Sequence, residues 1–153
     1  MNEVEALIAQ LQLRGDEVWI AGPQTNEAVA DLEQAIGVTM PASYREFLLR
    51  IGGLSIGDWF ISGIIDKQPL RHEAGYLYGD TLTCREVWSL PSNLLVIQAD
   101  QNAPYCLRAE ASPTSEYPVV CFELHSRHES QIAPSFLDWL LETLRLRANP
   151  PPI

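Results

Sequence analysis

Apolar residues recur with the spacing of an amphipathic helix near both ends of the chain. They return at intervals of three and four residues, which places them on one helical face. Ser135 is positioned to cap the second of these helices, because its hydroxyl can accept a hydrogen bond from a free N–H of the first turn. We therefore predict two helices, with apolar faces made of Val4, Leu7, Ile8 and Leu11, and of Phe136, Leu137, Leu140, Leu141 and Leu144.

Two further helices are predicted between residues 29 and 53, joined by a short corner. Gly37 is placed to end the first of them, since the residue after a helix often needs a positive φ, which glycine adopts freely. Pro41 suits the first turn of the second, where its missing N–H would have no partner. Thr25 or Asn26 can cap the first helix. The two apolar faces consist of Val29, Leu32 and Ile36, and of Tyr44, Phe47, Leu48 and Ile51.

The middle of the chain contains short apolar segments separated by turn residues, a pattern typical of β-strands. A short helix is predicted over residues 80–90, with Asp80 or Thr81 as its cap, whereas residues 124–132 are polar and are expected to be irregular. Strands are predicted at residues 59–61 and 64–65, at 94–97, at 105–107 and at 119–122.

The fold class that follows is α+β. We expect a single domain with an antiparallel sheet, helices packed mainly on one side of it, an N-terminal helical corner and a C-terminal helix. The length of 153 residues fits one domain. We assign residues 1–147 to this domain and expect residues 148–153 to be a disordered tail, because the sequence ANPPPI cannot continue a helix.

The chain is strongly acidic. Twenty Asp and Glu residues face ten Lys and Arg residues, so the formal net charge is -10 and the isoelectric point is about 4.6. This balance disfavours binding to nucleic acid or to an anionic membrane, because phosphate binding needs clustered Lys and Arg. The charge instead favours a positively charged partner, or it serves only to keep the protein soluble.

Several features predict a cytoplasmic location. The N-terminal sequence MNEVEALIAQ lacks the basic start and apolar run of a signal peptide, and no apolar run approaches the roughly 20 residues that span a bilayer. The three cysteines, Cys84, Cys106 and Cys121, are odd in number and lack the spacing of a metal motif. We expect them to be free thiols in a reducing compartment.

The helical corner carries a resemblance that goes beyond its periodicity. Its sequence, LEQAIGVTMPASYREFLLRIGG, is similar to the opening motif of the SUKH superfamily, the relatives of fungal cell-wall assembly regulators and of bacterial toxin-immunity proteins. The segments LPSNLLVIQAD and APSFLDWL also resemble parts of the family pattern, so the resemblance touches most of residues 25–145. One departure is DQNAP at residues 100–104, where family members often place glycines. The matching residues of the corner are Glu33, Ile36, Gly37, Met40, Pro41, Tyr44, Phe47, Leu48, Gly52 and Gly53.

This resemblance implies a protein that acts by binding. For bacterial members it implies a non-enzymatic intracellular immunity protein that binds and neutralises the toxin domain of a polymorphic toxin system. Many family toxins act on nucleic acids and have basic binding sites, which would match the negative charge of this chain. The alternative is a regulatory scaffold that binds an endogenous partner, as in the fungal members.

The chain carries no recognisable catalytic motif. A G-x-S-x-G elbow, a phosphate-binding loop and a dinucleotide fingerprint are all missing. His125 and His128 could form a metal pair on a helix, but their polar segment favours a solvated loop, and a metal site needs three or four ligands. Cys106 and Cys121 stand among apolar residues and are expected to be buried structural thiols. We therefore expect no enzymatic activity, no metal and no cofactor, with an uncharacterised hydrolase as a remote alternative.

Candidate partner-binding residues are loop acids and aromatic anchors. Trp59, Trp88 and Trp139 stand beside apolar neighbours and are expected in the core, whereas Trp19 lies between polar stretches and could anchor a partner. Acids from separate hairpins can converge on one rim of a meandering sheet and present a negative field to a basic partner. The candidate residues are Trp19, Asp58, Trp59, Asp66, Asp80, Asp100, Glu110 and Glu116.

Overall fold

The computed structural model describes residues 1–110 and 116–152. Within these residues the chain forms five helices and seven strands. In chain order they are α1 (Asn2–Arg14), β1 (Val18–Ile20), α2 (Asn26–Ile36), α3 (Ala42–Arg50), β2 (Leu54–Ile56), β3 (Trp59–Ile61), α4 (Leu77–Trp88), β4 (Leu94–Gln98), β5 (Tyr105–Arg108), β6 (Val119–Phe122), β7 (Glu129–Ala133) and α5 (Phe136–Ala148). Of the helices in this part of the chain, none is both long and apolar enough to cross a membrane.

The predicted corner between α2 and α3 is confirmed, with one shift. The Thr25 hydroxyl accepts a hydrogen bond from the Ala28 N–H at 3.0 Å and caps α2. Gly37 follows α2 with φ of 76°. Pro41 stands at the capping position of α3 with φ of -67°, one residue before the first turn in which we predicted it. The corner is therefore built by a side-chain cap, a left-handed glycine and a proline.

The first three strands form an antiparallel sheet in the order β1-β2-β3. The prediction that residues 64–65 also belong to a strand is wrong. Gly63 forms only an isolated bridge to Tyr76, and Ile65 forms one to Gln68. The backbone of Gly63 lies against that of Gly52, where a Cβ on Gly63 would stand 1.7 Å from the Gly52 carbonyl oxygen. The chain leaves the sheet at this contact.

The remaining strands form a second antiparallel sheet in the order β4-β5-β6-β7. The predicted strands that became β4, β5 and β6 are confirmed. Residues 124–132 are not irregular throughout, as we predicted, because β7 begins at Glu129 and pairs with β6. The prediction failed because β7 is an edge strand with mostly exposed polar side chains, so backbone pairing alone marks it.

Alternating residues of β4 face two separate apolar clusters. Leu95 and Ile97 belong to the larger cluster, which also holds the apolar faces of α1, α2, α3 and α5. Leu94 and Val96 belong to a smaller cluster with Cys84 of α4. The α+β fold class is thus confirmed. Four helices place their apolar faces in the larger cluster, which Leu77 at the start of α4 also joins, and the rest of α4 covers the opposite face of the second sheet.

Helix α4 differs from its prediction. It begins at Leu77 and is preceded by Tyr76, so Asp80 and Thr81 lie inside the helix and do not cap it. Gly79, which precedes the predicted helix, lies inside α4, and the backbone of Glu73 packs closely against it. A Cβ on Gly79 would stand 2.2 Å from the Glu73 carbonyl oxygen. The Thr81 hydroxyl instead accepts a hydrogen bond from the Val96 N–H at 2.9 Å, which ties α4 to β4.

Candidate functional site

A cavity of about 450 Å³ lies where the β2–β3 turn, α4, the end of β4 and α5 meet. Four of the candidate residues from the sequence, Asp58, Trp59, Asp80 and Asp100, line it together. We call it the acidic cavity. Its wall also includes Phe60, Ser62, Gly75, Gln98 and Arg147.

Asp80 is the buried carboxylate of the acidic cavity, with an exposed fraction of 8%. Its Oδ2 accepts hydrogen bonds from the Ser62 hydroxyl at 2.5 Å and from the Gly75 N–H at 3.2 Å. No described residue donates a hydrogen bond to its Oδ1. Burial raises the pKa of the Asp80 carboxyl above its ordinary value of 3.8, although the hydrogen bonds from Ser62 and Gly75 oppose this shift.

Hydrogen bonds that run from the core through Ser62 hold Asp80 in position. The hydroxyl of the fully buried Tyr44, on α3, donates a hydrogen bond to the Ser62 carbonyl at 2.7 Å. The Ser62 N–H donates to the Ile97 carbonyl at 2.8 Å, which joins the end of β3 to β4. Ser62 thus links a core helix, both sheets and the Asp80 carboxylate, so we expect the floor of the cavity to be rigid.

Asp58 and Asp100 lie at exposed turns on the rim of the acidic cavity. Asp58 belongs to the two-residue turn between β2 and β3, where Ile56 pairs with Trp59. Asp100 stabilises its own turn, because Oδ2 accepts hydrogen bonds from the N–H groups of Asn102 and Ala103, each at 2.9 Å. None of residues 100–104 has a positive φ, so this turn does not require a glycine.

The three carboxylates of the acidic cavity have no ion-pair partner among the residues that the structure describes. By contrast, most arginines of this part of the chain are paired with acids elsewhere on the surface. The paired arginines are Arg14, Arg45, Arg50, Arg71, Arg108 and Arg145. The cavity therefore contains three carboxylates and one cation, Arg147, which forms no ion pair with any of them among the described residues.

Aromatic side chains form the apolar part of the wall. The guanidinium carbon of Arg147 lies 4.9 Å from the centroid of the Trp59 ring, and Trp59 also packs against Trp139 at 6.1 Å between ring centroids. Trp19, which is 40% exposed, stacks on Phe60 at 5.7 Å. Trp19 is thus connected to the cavity through Phe60 and does not line it.

The other three candidate acids lie outside the acidic cavity. Asp66 is exposed in a turn with φ of 54°. Glu110 pairs with Arg108 at the end of β5. The Glu116 carboxylate accepts hydrogen bonds from the N–H and the hydroxyl of Ser43, at 2.9 and 2.6 Å. Because Ser43 stands in the first turn of α3, Glu116 provides an acceptor for an N–H that has no partner within the helix, and its charge stabilises the N-terminus of that helix.

A second cavity of about 310 Å³ opens beside α4 and was not predicted from the sequence. It shares Asp80 and Asp100 with the acidic cavity, and Val87 and Trp88 line it. The expectation that Trp88 belongs to the core is wrong, since it is 36% exposed and Val87 is 64% exposed. Val87 and Trp88 are the last two residues of α4. Two adjacent apolar residues at a helix end are the sequence signal that could have revealed this surface.

Within the described residues, no group of three or more His, Cys, Asp or Glu side chains could hold a metal ion. Cys106 is buried as predicted, and burial raises the pKa of its thiol far above the ordinary value. Cys121 is only half-buried, although desolvation raises the pKa of its thiol too. His125 is exposed and packs edge-on against Trp88, with 5.0 Å between ring centroids.

Comparison with known proteins gives one match that spans most of the chain. The family model SUKH_5, described as SMI1-KNR4 cell-wall, matches residues 4–145. No curated protein matches the chain. The matched range includes both sheets, the helical corner and the cavity residues Asp58, Asp80 and Asp100.

Proposed function

The chain belongs to the SMI1-KNR4 cell-wall family of the SUKH superfamily, and we propose that it is an intracellular immunity protein. Members of this family are generally non-enzymatic immunity or regulator proteins, and they often bind partner proteins such as toxins. In this proposal the protein binds a basic, nucleic-acid-targeting toxin domain in the cytoplasm and blocks its active surface.

The observation that carries the proposal is the acidic cavity. Asp58, Asp80 and Asp100 share one cavity, and none of them has an ion-pair partner among the described residues. Toxins that act on nucleic acids need Lys and Arg side chains to contact phosphates. A surface that offers carboxylates without counter-ions competes for those same side chains, so it can bind the toxin and exclude the nucleic acid together.

Aromatic side chains beside the carboxylates support protein binding in particular. Trp59 and Phe60 line the cavity, and Trp19 extends the aromatic surface across Phe60. Tryptophan and tyrosine side chains are enriched among the residues that dominate binding energy, because they bury a large area with few rotatable bonds. The proposed interface therefore combines an aromatic patch with a charged cavity.

The experiment begins with the gene that neighbours this one. If it encodes a large secreted protein, its C-terminal domain is produced in cells with and without this chain. We expect the domain to arrest growth alone, the chain to restore growth, and the purified pair to form a stable complex. Growth arrest that this chain does not relieve, together with no complex, would refute the immunity proposal.

The acidic cavity is then tested within the same assay. We expect the double variant Asp58→Asn/Asp100→Asn to protect cells less well than the wild type. The matched control, Glu27→Gln/Asp31→Asn, removes two exposed charges from α2 and should protect fully. Equal protection by both variants would show that the toxin meets another surface.

The second candidate function is a regulatory scaffold for an endogenous partner. It is favoured by the family description, which names cell-wall proteins. The two proposals make different genetic predictions. A regulator is expected to cause a growth or cell-wall defect when its gene is deleted without any toxin present, whereas an immunity protein is expected to be dispensable once the toxin gene is removed.

A further inference from the structure

We propose that the acidic cavity receives a single arginine side chain of the partner protein, with its guanidinium group at Asp80 Oδ1 and between Asp58 and Asp100. This inference rests on the proposed function, because it assumes that the cavity meets a basic protein. It adds which residue of the partner enters the cavity and which atoms of this chain accept it.

Asp80 is the first residue that favours a cation in the cavity. It is 8% exposed and lines the cavity, yet both hydrogen bonds that it receives from the described residues end on Oδ2. Oδ1 receives none from these residues, and no ion pair neutralises the carboxylate. Among the described residues, the only buried polar side-chain atom without a partner is Arg85 Nε, so Asp80 Oδ1 is accessible to solvent. A charged donor that enters the cavity can therefore form a charge-assisted hydrogen bond with it.

The size and charge of the cavity also fit an arginine side chain. A cavity of about 450 Å³ falls within the range of small-ligand pockets and accommodates one long side chain with some water. The rim acids Asp58 and Asp100 add two carboxylates to that of Asp80. Because the described carboxylates are not grouped closely enough to hold a metal ion, an extended organic cation fits them better.

The aromatic wall of the cavity favours arginine over lysine. The wall contains Trp59 and Phe60, and the chain's own Arg147 already stacks on Trp59 with its guanidinium carbon 4.9 Å from the ring centroid. This wall therefore accepts a planar guanidinium group. Arginine combines stacking on aromatic rings with several donors directed at carboxylates, whereas lysine presents a compact and strongly hydrated charge.

Arg147 itself does not satisfy the cavity. It forms no ion pair with Asp58, Asp80 or Asp100 in the described part of the chain, and its guanidinium lies over Trp59. The three carboxylates are therefore left for an incoming cation. Phe60, which stacks on Trp19, offers a second ring against which that cation can stack.

The test uses blocked arginine, N-acetyl-L-arginine amide, as a probe that imitates an arginine residue in a protein. We expect saturable changes in the backbone amide NMR signals of residues 58–62 and of Gly75 when this probe is titrated into the full-length protein. N-acetyl-L-citrulline amide has the same shape without the charge and should give no saturable change. No saturation with blocked arginine, or equal binding of both probes, would overturn the proposal.

Two variants locate the guanidinium group. Asp80→Asn keeps an oxygen for Ser62 and Gly75 but loses the carboxylate, and we expect it to weaken probe binding by about tenfold or more. Asp58→Asn should weaken probe binding to a smaller degree. Because Asp58 lies at an exposed turn, this variant folds whether or not the core tolerates a substitution of Asp80. Asp31→Asn on α2 should bind like the wild type. Wild-type affinity in both cavity variants would contradict the assignment.

Free L-arginine distinguishes a partner's side chain from a small-molecule ligand. Its α-carboxylate would face an acidic rim, so we expect weaker binding than for blocked arginine. Tighter binding of free L-arginine would overturn the assignment to a protein side chain. Since none of these titrations contains a toxin, they fail independently of the proposed function, which the growth and complex assays test.

Discussion

Gly37 and Gly63 are both required as glycines, but for different physical reasons. Gly37 has φ of 76° and open space where a Cβ would lie, so a side chain there costs only backbone strain. We expect Gly37→Val to lower the free energy of unfolding by about 1 kcal/mol or more. Urea unfolding monitored by tryptophan fluorescence measures this change, and an unchanged midpoint would show that the corner tolerates a β-branched residue.

At Gly63 there is no space for a side chain. A Cβ there would stand 1.7 Å from the Gly52 carbonyl oxygen, and that oxygen cannot move because the Ile64 N–H donates a hydrogen bond to it at 3.0 Å. We therefore expect Gly63→Ala to destabilise the protein by about 3 kcal/mol, more than the bulkier Gly37→Val does. The same unfolding experiment compares the two variants, and the reverse order would contradict this account.

Asp80 makes stability depend on pH. Burial raises the pKa of its carboxyl above 3.8 in the folded state, so the folded protein binds this proton more tightly than the unfolded chain does. Between 3.8 and the folded-state pKa, the stability that this group contributes therefore falls as pH rises. Asp80→Asn removes that dependence, and we expect its free energy of unfolding to gain on the wild type as pH rises towards neutrality.

Urea unfolding at a series of pH values measures this difference. Tyr44 and Cys84 lie near Asp80, but burial raises the pKa of the Tyr44 hydroxyl and of the Cys84 thiol, so both stay neutral throughout this range. Asp31→Asn serves as the control, because it changes one exposed carboxylate. If the difference between Asp80→Asn and the wild type shrinks as pH rises, the buried carboxylate is not responsible.

At the scale of elements, Glu33 explains why the corner motif contains an acid. Its carboxylate accepts a hydrogen bond from the Met40 N–H at 2.6 Å and pairs with Arg45. It thereby ties α2 to the loop after it and to α3. We expect Glu33→Gln to cost about 1 kcal/mol of stability, since the ion pair is only partly shielded from water.

A double-mutant cycle separates the ion pair from the backbone contact. Arg45→Gln removes the pair alone, and Glu33→Gln/Arg45→Gln should cost less than the two single changes added together. The free energies of unfolding of the four proteins provide the coupling energy. Strict additivity would mean that Glu33 acts only through the Met40 N–H.

The helices of the corner and α5 could be predicted because their apolar spacing agrees with their capping residues, and the central strands could be predicted from their apolar segments. Ser135, for example, caps α5 as expected and accepts a hydrogen bond from the Asp138 N–H at 3.1 Å. Strand β7 could not be predicted, because an exposed edge strand has no apolar alternation and depends on pairing with β6. Helix α4 begins at Leu77, three residues before the predicted start at Asp80. Gly79 has a low helix propensity, and the close backbone of Glu73 that requires a glycine there is visible only in the folded chain.

At the scale of the whole molecule, the candidate site too could be predicted only in part from the sequence. The acids themselves were visible in the sequence, but their grouping depends on how two sheets and α4 come together. Asp58, Asp80 and Asp100 share a cavity, whereas Glu110 and Glu116 form contacts that hold the chain in place. Residue type predicted which side chains carry charge, and only the fold decides which charges are left without partners.

The net charge of -10 leads to a prediction about association with a basic toxin domain. We expect the association rate constant to fall as salt increases, because screening limits the field to about 8 Å at physiological ionic strength. Stopped-flow measurements at low and high salt test this. Asp58→Asn/Asp100→Asn should associate more slowly at low salt, and a rate insensitive to both salt and these substitutions would exclude electrostatic steering.

A partner that binds at the Asp80 carboxylate would also change how long the protein survives in a cell. Any ligand that binds the folded state there, and not the unfolded chain, shifts the folding equilibrium by mass action. The unbound protein then unfolds more often and is exposed to proteases more often than the bound one. The amount of this protein in a cell would therefore follow the amount of its partner, without any change in the expression of its gene.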